Sequence, residues 1–220
     1  MEKSIRFGGY MFAIVTPETI QLPPGTVMRF PGSWQDYQTL CHQLGDRATP
    51  RIKYRPGEIL LMSPLPSHGR TAHLIAQVVM VLLDHLARDY EAFTPITMDL
   101  PEVRGIEPDY CFYIDRWAAV AGKNRIDWES DPPPDLVIEI DITSFTDADD
   151  YLPYRVPEVW LYQSDRLKMY GLQDDRYELQ SQSRYFPNFN LAEILGETFQ
   201  IARDRNTSSA IRALRQKLSA

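Results

Sequence analysis

Cysteine is scarce. The 220 residues hold two, Cys41 and Cys111, far apart and without metal-ligand spacing. That excludes a disulfide scaffold and a zinc finger. Cys111 stands in an apolar run and reads as a small buried hydrophobe. Long hydrophobic runs are also lacking. The apolar patch at residues 10–15 is too short to span a bilayer and is followed by no small-residue cleavage site. It reads as a strand, and the protein is expected to be cytoplasmic, without a membrane partner. Internal repeats and low-complexity tracts are absent. Positive charge is in short supply: 23 Lys and Arg stand against 30 Asp and Glu, a net charge of −7. That balance runs against a broadly basic nucleic-acid surface.

What is present is an ordinary globular composition, 44% hydrophobic and 24% charged, long enough for one well-cored domain with modest appendages. Basic residues gather in two places. The segment 201–220 carries Arg203, Arg205, Arg212, Arg215 and Lys217 against the single acid Asp204. Arg51, Lys53 and Arg55 alternate along an expected strand and so share one face. The plainer reading of both clusters is a solvated surface.

Hydrophobic periodicity orders the elements. A short strand at 27–30 ends at Pro31-Gly32. Ser33 then caps a helix reaching Gly45. Residues 51–54 and 58–62 form a hairpin around Pro56-Gly57. The strongest periodic segment, 67–90, predicts a long helix capped by Ser67 and packed on a sheet. Strands follow at 93–100, 110–114 and 135–142, with a short helix near 117–121 between the last two. Further strands are expected at 158–162, 167–172 and 177–179, and a helical tail buries Ile211, Leu214 and Leu218. The pattern predicts an α/β (α+β) fold, one mixed sheet of five or more strands with helices packed against it. Residues 1–32 form an extension with short strands, 33–195 the main domain and 196–220 a basic helical tail.

Three acids sit in or beside the most apolar strands. Asp109 opens the strand at 110–114. Glu139 lies within the run from Leu136 to Ile142, and Asp141, two residues on, shares its face. A central strand normally excludes carboxylates, because an unpaired buried charge is expensive. A divalent cation would compensate, since hard oxygen ligands suit Mg2+. Pairing with buried Arg or Lys is the alternative.

Several motifs occur in order. Gly105-Ile106-Glu107-Pro108-Asp109 precedes Cys111-Phe112-Tyr113-Ile114. The run from Pro134 and Asp135 through Glu139, Ile140 and Asp141 ends at Thr143-Ser144. Gly57-Glu58 leads to Met62-Ser63-Pro64 and His68, and Val156-Pro157-Glu158-Val159-Trp160 follows downstream. Over residues 33–195 these resemble a putative restriction endonuclease family abundant in cyanobacteria, within the PD-(D/E)XK nuclease superfamily. The resemblance implies a restriction-endonuclease-like core and metal-assisted phosphodiester hydrolysis with Mg2+ (or Mn2+). Asp109 and Glu139 would be metal ligands and, with Asp141, the catalytic acids. Glu58 would join the metal through water, and the Ile140 carbonyl would complete the shell. Glu58 reads equally as an exposed strand-start residue, and His68 either as a residue near the substrate or as one of a helix's first turn. The implied partner is nucleic acid, DNA first, with a homodimer as the assembly to look for.

The chain departs from the superfamily pattern at its lysine. The place two residues after Glu139 is Asp141, and the family's alternative source, the following helix, here reads 145–155 without a Lys. Arg155 is the cation in that stretch, and Lys123 and Lys168 would have to arrive from elsewhere. Weak turnover is therefore the expectation. A catalytically degenerate binding module and a plain cation-binding protein are the competing readings.

Overall fold

The computed structural model describes residues 22–45, 50–94, 96–141 and 146–219. The strand expected at 10–15 lies outside these. Strand β1 (Val27–Pro31) precedes helix α1 (Trp34–Leu44). Ser33 and Asp36 form a reciprocal capping box at its start, and Gly45 ends it, as the sequence predicts. β2 (Arg51–Arg55) and β3 (Glu58–Met62) make the expected hairpin, with Gly57 at φ +83° in the turn.

The long helix α2 runs Pro66–His85. Pro66 takes the first helical turn, where a missing N–H does no harm, and Ser67 does not cap it. The helix stops before Tyr90 because Ala87 adopts φ +51° while its N–H and that of Arg88 bond back to Asp84 and Leu83. This is a Schellman closure made without glycine, hence invisible to a search for one.

Downstream come β4 (Glu91–Phe93), β5 (Met98–Leu100), β6 (Arg104–Ile106), β7 (Tyr110–Tyr113), α3 (Trp117–Val120) and β8 (Leu136–Ile140). A 3-10 helix (Ala148–Tyr154) leads to β9 (Glu158–Gln163), β10 (Arg166–Gln173), β11 (Arg176–Gln180), α4 (Leu191–Asp204) and α5 (Thr207–Leu218).

The mixed α and β architecture is as expected, but the strands divide between two sheets. The first has the order β1-β3-β2-β6-β5 and the second β11-β10-β9-β8-β7-β4. The single strand expected at 93–100 is two strands, one in each sheet. The sequence contains the reason: Pro95 cannot donate to a ladder. β7 and β8 are adjacent and antiparallel, and β8 pairs in parallel with β9. Leu136, Ile138 and Ile140 pack with the α2 residues Leu74, Ile75 and Val78 in one core, which α4 and α5 extend. Val137 faces the other way, into a core with Tyr151 and Tyr154 of the 3-10 helix. The domain boundary drawn at residue 195 falls inside α4, and Ile211 and Leu214 of α5 belong to the α2 core.

In the first sheet, Ile52, Tyr54, Ile59 and Leu61 pack on Tyr37 of α1. The opposite face therefore carries Arg51, Lys53, Arg55, Glu58, Leu60 and Met62. Tyr37 also fixes α1 against β5 and β6 of this same sheet. Its ring lies 2.4 Å from where a Cβ on Gly105 would stand, and its hydroxyl donates to Asp99 at 2.7 Å. Gly105→Ala is expected to destabilise the protein by about 1–3 kcal/mol through overpacking, read from the midpoint of urea unfolding. An unchanged midpoint would mean that Tyr37 has room to yield.

Candidate active site between the two sheets

Asp109 lies just before β7. The register Tyr110–Ile138 and Cys111–Val137, carried one step further, brings Asp109 opposite Glu139 of β8. The two acids that the sequence singles out thus meet on one side of the second sheet. Both are buried, at 1% and 3% exposure.

Each is held by a distinct set of donors. Asp109 Oδ1 accepts from Arg51 Nη1 of β2 and lies 2.7 Å from His68 Nε2 of α2. Asp109 Oδ2 accepts the Ile140 backbone N–H at 2.7 Å. Glu139 Oε1 accepts from Lys53 Nζ at 2.8 Å and from the Tyr151 hydroxyl at 2.5 Å. Lys53 Nζ also reaches Thr146 Oγ1 at 3.2 Å.

These partners pull the two carboxyls apart. Burial raises the Asp109 carboxyl, but the His68 hydrogen bond, the charges of Arg51 and His68 and the Ile140 N–H outweigh it and hold it below the usual range. Burial also raises Glu139; Lys53 opposes this, the Asp109 charge adds to it, and the net direction is upward.

Glu58 and Asp141 line one cavity with Lys53, Arg55, Glu139, Ile140 and Thr146, walled by Val27, Leu60 and Met62. Its volume, about 30 Å³, suits a water molecule or a bare ion. Asp141 is buried and accepts from Gln163 Nε2 at 3.3 Å and the Thr146 N–H at 3.4 Å. Asp109 sits behind this cavity and is not part of its lining.

The chemistry of the set suits a hard cation in kind. Among the described residues, no hydrogen bond reaches Glu139 Oε2, and a carboxylate oxygen has about two acceptor directions. The pairing is less accommodating. Asp109 Oδ1 is filled by two donors, and no group of three Asp, Glu, His or Cys side chains among the described residues is arranged to hold a metal ion. A cation here fits Glu139 as it stands, and Asp109 only after a donor leaves.

Two expectations need correction. Arg51, Lys53 and Arg55 are not a solvated face: Arg51 and Lys53 hold Asp109 and Glu139, and Arg55 bonds Asp150 at 2.6 Å. The stretch 145–155 indeed brings no lysine, yet the inference that none is at hand does not stand, because Lys53 reaches Glu139 from another sheet. Arg155 instead faces Asp175 at the surface, and Lys123 and Lys168 pair with Asp131 and Gln163. His68 lies in the first turn of the helix, as one of its two readings had it, and is buried against Asp109. The alternation of cations at 51, 53 and 55 was the available signal; what it faces depends on a contact across 86 residues. Nothing in the sequence points to Tyr151.

Asp109→Ala leaves Arg51 and His68 facing each other without an acceptor and is expected to destabilise the protein by about 3–5 kcal/mol. Asp109 stabilises the fold fully above its unfolded pKa of about 3.9, and this contribution fades as pH falls through the lower folded value. Glu139 acts in the opposite direction, because its raised folded value makes stability fall as pH rises through it. Denaturant titrations from acid to neutral pH should show the wild type losing stability below about pH 4 and the variant losing much less. Equal acid limbs would refute the assignment.

The sequence profile of the Uma2 family, described as "Putative restriction endonuclease", matches residues 34–204. Among curated proteins none matches the sequence. Among solved structures, a crystal structure of a putative nuclease from Anabaena variabilis is 16% identical, with a TM-score of 0.47, over 86% of this chain and 99% of that one. No helix of the described residues is long and apolar enough to cross a membrane. With its motifs in order and most of its length within the profile, the chain belongs to the Uma2 family of putative restriction endonucleases.

Proposed function

We propose that this protein is a metal-dependent endonuclease that hydrolyses phosphodiester bonds of DNA in the cytoplasm. The observation that carries the reading is the lysine: Lys53 Nζ lies 2.8 Å from Glu139 Oε1, beside Asp109, in a chain whose family is described as putative restriction endonucleases.

Asp109 and Glu139 are the proposed ligands of Mg2+ (or Mn2+), with Glu58 and Asp141 reaching it from the shared cavity. When bound, the ion supplies positive charge that polarises a phosphoryl oxygen. The protein's own residues do the rest. Lys53 holds an ammonium beside the attacked phosphate, where negative charge grows in the transition state. Glu139 Oε1 and Thr146 Oγ1 fix the direction of that ammonium, and Tyr151 fixes Glu139. Asp141 offers a carboxylate to take the proton of the attacking water. The apolar wall of Val27, Leu60 and Met62 limits competing solvent. A site of this kind cuts one strand, so a double-strand break calls for two copies, and a homodimer is the proposed assembly.

A second reading has its own support. The saturation of Asp109 favours a degenerate module that binds nucleic acid and no longer cuts it. Plasmid and single-strand assays with Mg2+ and Mn2+ separate the two. The expected result is cleavage that Glu139→Ala abolishes. Lys53→Met should lower the rate about 100- to 1000-fold, the usual loss of one such electrostatic contact, while cation binding persists in calorimetry. Wild-type protein that binds DNA without cutting it would establish the degenerate reading. Undiminished cleavage by Lys53→Met would remove Lys53 from the mechanism.

A further inference from the structure

We infer that Arg51 is a displaceable internal counter-ion that sets how tightly the site takes a divalent cation: the ion enters as the guanidinium leaves Asp109. The inference rests on the proposed metal site and deepens it. Asp109 has three donors, and they differ in their freedom to move. The Ile140 N–H is backbone of a central strand, paired on both sides. His68 is 3% exposed in the first turn of α2, so its ring would have to turn within a packed interior to withdraw. Arg51 stands at the start of β2 with its side chain 16% exposed, on a long flexible stem. It is the donor that can exchange.

Occupancy calls for the exchange. Asp109 and Glu139 are matched by Arg51 and Lys53, and Glu58 and Asp141 bring further negative charge to the adjoining cavity. A dication set against Asp109 Oδ1 would meet the guanidinium already there, and like charges that close repel strongly where water is excluded. Removing Arg51 relieves that repulsion and frees Asp109 Oδ1. Lys53 stays, because its partner is Glu139 and its second bond is to Thr146. Arg51 and Lys53 are thus neighbours on one strand face with separate tasks, one vacating the site and the other serving it.

The test is calorimetric titration of Mn2+ into the wild type, Arg51→Ala, Arg51→Lys and, as control, Glu139→Gln. If the pair is closed nine-tenths of the time, its removal raises apparent affinity about tenfold. Arg51→Ala should therefore bind about tenfold tighter, with Arg51→Lys in between, since a lysine keeps a cation near Asp109 but as a more strongly hydrated, less planar head group. Thermal unfolding gives a second readout: Mn2+ should raise the melting temperature of Arg51→Ala more than that of the wild type. Should Arg51→Ala prove unstable, Arg51→Lys carries the test. Equal affinity in wild type and both variants would overturn the counter-ion role while leaving the metal site intact. No binding by any of the proteins would overturn the metal site itself, and the inference with it.

Discussion

Everything around the site depends on one carboxylate. Asp109 ties β2 through Arg51, α2 through His68 and β8 through the Ile140 N–H, so three elements from distant parts of the chain converge on two oxygen atoms. A buried charge of this kind tolerates no partial solution, since each donor removed leaves part of the desolvation penalty unmet. The apolar strands on either side supply the setting. Cys111, Phe112, Val137 and Ile138 are completely buried and keep the dielectric low where the ion pairs form.

The acids and the strands that carry them were legible in the sequence because both signals are local. Glu139 is conspicuous between Ile138 and Ile140, and Pro108-Asp109 sits at the mouth of an apolar run. Alternation along 51–55 likewise showed that three cations share a face. What the sequence could not show was which surface that face meets. Both Lys53 and Arg51 act across more than fifty residues, and such pairings depend on how two sheets are set against each other. The lysine was sought near its usual place in the chain, whereas chemistry requires only its place in space.

Other discrepancies have equally specific causes. The end of α2 was missed because Ala87 does what glycine usually does. One expected strand is two, β4 ending at Phe93 in one sheet and β5 beginning at Met98 in the other. Asp135 resembles a site residue in its Pro-Asp setting, yet its carboxylate accepts the backbone N–H groups of Ile114, Asp115 and Arg116 and serves to turn the chain after β7. Burial alone does not distinguish an acid that shapes a loop from one that does chemistry; the partners do.

The division of the strands into two sheets has a mechanical meaning. Asp109 and Glu139 ride on the second sheet, Arg51 and Lys53 on the first. The chain passes from one sheet to the other between β4 and β5, and there Thr94 Oγ1 donates to the Asp109 carbonyl while Thr97 Oγ1 donates to Glu107. Sliding one sheet over the other by little more than the length of a hydrogen bond would part both cations from both acids together. The contact between the sheets is thus itself made of ion pairs: how the sheets sit against each other and how the site's charges are matched are one arrangement.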